Sequence, residues 1–123
     1  IEAIIHSINS NFETWAQAIA PVITGNHEIQ SQKLVGSFCN LKPDIAKHFA
    51  MVTFTSDHRD ILPMVENTCH ILQCKADIIA PEEVGRYMAG KIKDSHYYLL
   101  DASGHCPHLT HPEEVAAIIR KQI

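Results

Sequence analysis

Apolar residues in the first half of the chain recur three and four positions apart, which is the spacing of one face of an α-helix. The first run predicts a helix that Pro21 ends, because proline cannot donate the next backbone hydrogen bond. Gly25 and Asn26 then indicate a turn. The apolar residues of this run are Ile1, Ile4, Ile5, Ile8, Phe12, Trp15 and Ile19.

Further helices are predicted as far as residue 63. Pro43 suits the first turn of one of them, since a proline there loses no hydrogen bond. Ser56 is expected to cap a short helix that ends near Pro63. The apolar face of the second helix is Ile29, Leu34, Val35 and Phe38, and that of the third is Ile45, Phe49 and Val52.

The pattern changes near Glu66, where unbroken apolar runs begin. Residues 69–74 and 96–100 are such runs and predict two strands. Pro81 and Pro112, each followed by two glutamates, open a helix after each strand. A helical crossover predicts parallel strands, and two strands need further partners for a stable sheet. The inward faces expected of these helices are Val84, Tyr87, Met88 and Ile92, then Val115, Ile118, Ile119 and Ile123.

Composition narrows the class of protein. The chain has 123 residues, 46% of them hydrophobic, which is enough for a core. A net charge of -4 without any basic run argues against nucleic-acid binding. No apolar stretch approaches the roughly 20 residues that span a membrane. Four cysteines in such a chain favour reduced thiols and a cytoplasmic location. The start at Ile1 rather than methionine predicts a fragment of a longer protein.

Two residues with catalytic potential follow the predicted strands. Asp77 comes after the first strand and His105, preceded by Gly104, comes after the second. Ligands of open α/β folds bind at this edge of the sheet. An acid followed by a histidine is also the second half of the Ser, Asp, His order of a catalytic triad in α/β-hydrolases. The alternative for Asp77, weighed equally, is an N-cap of the next helix.

Other chemistry is less well supported by the pattern. The group of His105, His108 and His111 with Cys106 suggests zinc, but Pro107 and Pro112 prevent one helix from presenting these ligands together. No metal site is therefore predicted. None of the serines stands in the Gly-x-Ser-x-Gly motif of a nucleophile, so the chain is expected to lack the first member of a triad. Without that nucleophile the chain by itself is expected to be catalytically inactive.

Several motifs together resemble one family. The chain is similar to the RsbQ-like α/β-hydrolases, a subfamily that includes bacterial regulators of the sigma-B energy-stress pathway and the strigolactone and karrikin receptors of plants. The resemblance covers essentially all 123 residues. The motifs that carry it are residues 11–15 (NFETW), 43–46 (PDIA), 56–59 (SDHR), 71–74 (ILQC), 77–81 (DIIAP) and 104–108 (GHCPH).

The resemblance implies the C-terminal part of an α/β-hydrolase fold. Residues 1–66 would form the helical cap and return segment, and residues 67–123 the C-terminal part of the core, with a strand-helix-strand-helix order. Asp77 and His105 match the triad acid and base. The residues that would line the substrate pocket are Trp15, Ile19, Phe54, Ile78 and Ile79. The family needs neither a metal nor an organic cofactor.

The predicted function is the first of the three that follow, and the other two are alternatives to it. The first is hydrolysis of a small hydrophobic ester or lactone by a serine hydrolase, in stress signalling. The second is a ligand-binding signalling protein that activates a partner such as a phosphatase. The third is a gene fragment without function.

Overall fold

The structure, a computed structural model, describes residues 6–8 and 10–122 of the chain. Residues 6–8 and 10 are helical, and Ile1, Ile4, Ile5 and Ile123 lie outside the described residues. The further elements are α1 (Phe12–Ile23), α2 (Glu28–Cys39), α3 (Pro43–Thr55), a 3₁₀ helix (Arg59–Met64), β1 (Cys69–Ala76), α4 (Glu82–Lys91), β2 (Ser95–Ser103), α5 (Pro107–Thr110) and α6 (Pro112–Arg120). Helices followed by an alternation of strand and helix confirm the predicted order.

Helix α1 continues past the proline that was expected to end it. Pro21 lies inside the helix, which ends at Ile23. The prediction was wrong because proline removes only its own N–H, and the next turn still closes: the Thr24 N–H donates to the Ala20 carbonyl at 3.0 Å. Two residues with positive φ, Gly25 and Asn26, then form the predicted turn.

Small side chains let α1 and α2 pack closely. Ala16 and Ala20 are fully buried on α1. Thr24 is also buried, and its hydroxyl oxygen lies 2.6 Å from that of Ser31 on α2. This buried hydrogen bond fixes the turn between the two helices, because neither hydroxyl has water as an alternative partner.

The junction after α3 differs from the expectation. The Ser56 N–H donates to the Val52 carbonyl, so Ser56 ends α3 instead of capping the next helix. The N-cap position of the 3₁₀ helix is His58, and Asp57 Oδ1 accepts the Arg59 N–H at 3.2 Å where that helix begins. The prediction for Ser56 was wrong because serine suits a cap by residue type, whereas the N–H of Ser56 closes the last turn of α3.

The two strands form a parallel sheet, as predicted. Leu72 lies opposite Tyr98 and Cys74 opposite Leu100. The register shifts between Cys74 and Ala76, where β2 has one extra residue before Ser103. A bulge of this kind bends the strand locally and redirects the residues that follow it. In the described part of the chain the sheet has these two strands and no third.

One helix covers each face of the sheet. On one face α6 packs over a core of fully buried residues, and on the other α4 brings Gly85 against Gln73 and Tyr97. The first core consists of Cys74, Leu100 and Ala102, with Leu72, Val115 and Ile118 packed against it. Its Cys74 thiol has its pKa raised to about 11, first by burial and then by the nearby Asp77 carboxylate, so it behaves as a small apolar group.

Some residues expected to face inward are exposed. Val84, Tyr87 and Ile119 keep 45%, 43% and 50% of their surface accessible. Those predictions were wrong for a geometric reason: a sheet of two strands is too narrow to cover the whole apolar face of a helix. No helix in the described ranges is long and apolar enough to cross a membrane.

Candidate active site

Asp77 directly follows β1 and its side chain is 5% exposed. Its Oδ1 accepts the N–H groups of Ile79 at 2.9 Å and Ala80 at 3.0 Å, which closes the loop before α4. Oδ2 remains available for a partner outside the loop. The N-cap residue of α4 is Pro81, so the Asp77 side chain stabilises the loop before the helix and is not the N-cap of the helix.

His105 is the partner of Asp77. Its Nδ1 lies 2.8 Å from Asp77 Oδ2, across 28 positions of sequence. The imidazole is 43% exposed, so one ring nitrogen faces the buried carboxylate while the ring edge reaches solvent. Because Asp77 occupies Nδ1, the nitrogen that can exchange a proton with another group is Nε2. The structure thus brings together the two residues predicted to form the catalytic pair.

The backbone before His105 needs glycine. Gly104 has a φ of +84°, a region that residues with a side chain rarely adopt. A Cβ at Gly104 would also lie 2.5 Å from the Gly25 nitrogen and 2.7 Å from the Ile23 carbonyl oxygen. The loop therefore turns sharply against the end of α1, and the His105 N–H donates to the Ile23 carbonyl at 2.6 Å.

The cysteine beside the histidine is not an activated nucleophile. Burial raises the pKa of the Cys106 thiol, and the Asp77 carboxylate raises it further. A raised pKa keeps the thiol protonated, whereas the thiolate is the reactive form. All four cysteines lie in the described part of the chain, and none is bonded to another.

Serine is absent from both strand-to-helix junctions that the structure describes. One junction carries Asp77 and the other His105. The nearest serine in sequence, Ser103, donates its hydroxyl to the Gly25 carbonyl at 3.3 Å. The described residues therefore provide a candidate acid and a candidate base but no serine on a nucleophile elbow.

The histidines considered for zinc do not form a metal site. No group of three or more potential ligands converges among the described residues. His111 instead has its Nδ1 2.8 Å from the Thr110 hydroxyl and its ring 5.4 Å from that of His27. The ring contact with His27 joins the segment after His105 to the helical part of the chain.

Trp15 and Phe54, two of the residues predicted for the pocket, share a cavity of about 450 Å³. A second cavity, of about 570 Å³, is lined in part by Asp77 and Ile78. Ile19 and Ile79 line neither of the two; Ile19 is half-buried on α1 and Ile79 is 38% exposed. The further lining of the first cavity is Phe12, Phe38, Leu41, Ile45, Ala46, Phe49, Ala50 and Thr53.

Gln73 is a site residue that the sequence pattern did not single out. It is buried on β1, and its amide nitrogen donates to the Ala80 carbonyl at 2.9 Å and to the Cys74 carbonyl at 3.0 Å. It therefore holds the same loop that Asp77 Oδ1 closes. The available signal was a glutamine within an apolar run, because a polar side chain buried there needs partners.

The elements described above make up the C-terminal part of an α/β-hydrolase fold, in which a helical cap precedes a strand-helix-strand-helix unit. The structure matches that of a hydrolase from Oleispira antarctica with a TM-score of 0.93 and 35% sequence identity, over 98% of this chain and 45% of that one.

Curated relatives agree with this class of fold. The chain is 32% identical to the strigolactone esterase RMS3 of Pisum sativum, over 94% of this chain and 44% of the relative. It is 28% identical to the karrikin insensitive 2 receptor CA of Petunia hybrida, over 100% of this chain and 47% of the relative. The chain thus spans slightly less than half the length of these relatives. No family model matches it.

Proposed function

We propose that this chain supplies the acid and the base of a Ser-His-Asp triad in an α/β-hydrolase that cleaves a small hydrophobic ester or lactone. The contact between His105 Nδ1 and Asp77 Oδ2 carries the proposal. The serine and the oxyanion hole would come from residues outside this chain. The proposal includes a division into a cap at residues 1–66 and a part of the core at residues 67–123.

The proposed chemistry follows from the two ring nitrogens of His105. Nε2 takes the proton of the serine hydroxyl as the serine attacks the carbonyl carbon, and returns it to the leaving alcohol. Asp77 holds the proton on Nδ1 and stabilises the imidazolium that forms. A water molecule then hydrolyses the acyl-enzyme with His105 again as base.

The proposed substrate has an apolar body next to its carbonyl group. The cavity that includes Trp15 and Phe54 supports this, because its lining is apolar or aromatic apart from Thr53. The Thr53 hydroxyl already donates to the Phe49 carbonyl at 2.9 Å. Ile19, Ile78 and Ile79 belong to the proposed substrate-binding set through the family resemblance.

The test uses the native protein that carries this chain and a p-nitrophenyl ester of a short fatty acid. His105→Ala should lower kcat by roughly 10³–10⁴-fold or more, in line with loss of a triad member. His108→Ala, three positions along and outside the proposed triad, is the matched control and should retain turnover. Equal turnover in the parent and in His105→Ala would exclude the proposed mechanism.

A second candidate function is ligand sensing. The relative named as a karrikin insensitive 2 receptor favours it. In this alternative the pocket binds a small hydrophobic ligand, and a cytoplasmic stress pathway of the RsbQ type responds through a partner such as a phosphatase. Signalling that persists in His105→Ala, although hydrolysis is lost, would favour sensing over turnover.

A further inference from the structure

The turn that ends α1 touches the catalytic loop on both sides of His105. Before His105, the Ser103 hydroxyl donates to the Gly25 carbonyl at 3.3 Å. At His105 itself, the backbone N–H donates to the Ile23 carbonyl at 2.6 Å. After it, the ring of His111 meets that of His27 edge-on at 5.4 Å.

Close backbone packing makes this contact sensitive to small changes. Gly25 has a φ of +63°, and a Cβ built on it would lie 2.5 Å from Ser103 Oγ and 2.6 Å from Ser103 C. Real Cβ atoms do not approach backbone atoms so closely, so a side chain at Gly25 would displace the strand end that leads into His105. Two backbones meet here because each contributes a glycine, Gly25 and Gly104.

The turn itself is rigidly held. Thr24 is fully buried, and its hydroxyl donates to the Ala20 carbonyl at 3.0 Å and pairs with Ser31 at 2.6 Å. A shift of the turn would therefore require a shift of the α1–α2 pair. Helix α1 also carries Trp15, which lines the aromatic cavity of the cap.

We propose that residues 23–25 position His105: they fix the backbone of its loop so that Nδ1 meets Asp77 and Nε2 points to the reacting group. Gly25 and Ser103 are then positioning residues, which act on the reaction through His105. The inference rests on the proposed function, because the position of His105 affects turnover only if His105 is the base. A displacement of helix α1 would then also displace His105, because the last residue of α1, Ile23, accepts the His105 N–H.

The experiment compares two glycine-to-alanine variants in the native protein. Gly25→Ala should lower kcat for p-nitrophenyl butyrate by roughly 10–100-fold while KM stays within about two-fold, since a displacement of less than 1 Å at the base affects the reaction and not ground-state binding. Gly36→Ala, on α2, is the matched control: a Cβ there meets nothing within 4 Å, so both constants should remain unchanged.

A second variant and a second readout keep the test independent of folding. Ser103→Ala removes one hydroxyl and should show the same kcat-only loss at a smaller size, with Ser103→Thr restoring part of it. In proton NMR, the low-field resonance of His105 Nδ1–H should be weakened or shifted in Gly25→Ala and Ser103→Ala, and unchanged in Gly36→Ala. The resonance reports the Asp77 contact directly, which a general loss of stability would not move in the folded fraction.

The outcomes separate the two proposals. If Gly25→Ala and Ser103→Ala keep kcat and the resonance of the parent, or if Gly36→Ala loses them equally, residues 23–25 do not position the base. If His105→Ala keeps full turnover, the proposed function fails. Should Gly25→Ala fail to fold, Ser103→Ala with its threonine control decides; should turnover be undetectable, the resonance decides.

Discussion

Asp77 and His105 are joined by a 2.8 Å contact between Oδ2 and Nδ1, and each follows the carboxyl end of one of two paired parallel strands. The two oxygens of the acid have separate tasks. Oδ1 accepts two N–H groups of its own loop, and Oδ2 faces the imidazole. The Asp77 carboxylate is therefore held by backbone N–H groups as well as by the imidazole, which limits the geometries that the pair can adopt.

Asparagine and alanine at position 77 should separate these two tasks. In Asp77→Asn the amide oxygen can still accept the N–H groups of Ile79 and Ala80, so the free energy of unfolding should change little. Turnover should nevertheless fall by roughly 10⁴-fold, because a neutral amide neither holds the same tautomer nor stabilises the imidazolium.

Asp77→Ala should lose both functions. It leaves the two loop N–H groups without their acceptor, at an expected cost of about 1–3 kcal/mol in the free energy of unfolding. Urea denaturation and ester turnover of the parent and both variants provide the measurement. Equal stability of the asparagine and alanine variants would show that Oδ1 does not hold the loop.

Replacing each of two glycines in α4 by alanine should have different effects on the free energy of unfolding. A Cβ at Gly85 would lie 2.5 Å from Gln73 Oε1 and 3.0 Å from the Tyr97 ring, whereas one at Gly90 meets nothing within 4 Å. Gly85→Ala should therefore destabilise the protein by about 1–3 kcal/mol through overpacking. Gly90→Ala should be neutral or stabilise it by up to about 1 kcal/mol, because alanine favours a helix.

Thermal and urea unfolding of the two variants measure this difference. The helix is the same and so is the chemical change, hence the comparison isolates the contact with the sheet. If Gly85→Ala were as stable as Gly90→Ala, α4 would not pack on Gln73 as described.

The ion pair of Asp57 and Arg59 predicts that the Asp57 carboxyl takes up its proton at a lower pH than an ordinary aspartate does. The hydrogen bonds from Arg59 lower the pKa of the Asp57 carboxyl to about 2, against an ordinary value of 3.8. A lowered pKa in the folded state contributes stability above the ordinary value, and this contribution is lost as the pH falls from 3.8 towards 2. Both side chains are largely exposed, so the contribution to stability is small and decreases with salt.

Carbon-13 NMR of the Asp57 carboxyl measures this directly. Arg59→Gln should raise the midpoint of the Asp57 titration towards 3.8, and Arg86→Gln, which breaks an ion pair on α4 with Glu82, should leave it unchanged. A midpoint near 3.8 in the parent protein would contradict the pair.

The four thiols should differ in their rates of alkylation. Cys39 is exposed, whereas Cys74 is 2% exposed and has its pKa raised to about 11. Iodoacetamide at neutral pH should therefore modify Cys39 in the folded protein and reach Cys74 only after denaturation. Peptide mass mapping over time gives the order, with Cys39→Ser as the control that removes the fast phase. Rapid labelling of Cys74 in the native protein would contradict a closed core under α6.

Residue spacing predicted the elements well where one physical signal dominated. The apolar runs at 69–74 and 96–100 became parallel strands, because short unbroken apolar runs are typical of strands that carry a helix on each face of their sheet. Pro43 and Pro112 stand at helix starts, as their missing N–H groups require. The predictions for Pro21 and Ser56 were wrong, because Pro21 removes only its own N–H and because the N–H of Ser56 still donates to the Val52 carbonyl of α3.

Some features of the candidate site were likewise predictable from the sequence, and others were not. The residues that could act as acid and base, and their order after the strands, were predictable from the amino-acid sequence, since residue type and the order of elements along the chain are local properties. The folded chain was needed to show that Asp77 Oδ2 contacts His105 Nδ1, that Gln73 bonds to the loop after Asp77, and that Gly25 contacts the loop of His105. The contacts of His105 with Asp77 and of Gly25 with Ser103 join residues far apart in the chain, and their distances depend on strand register and helix packing, which no local pattern encodes.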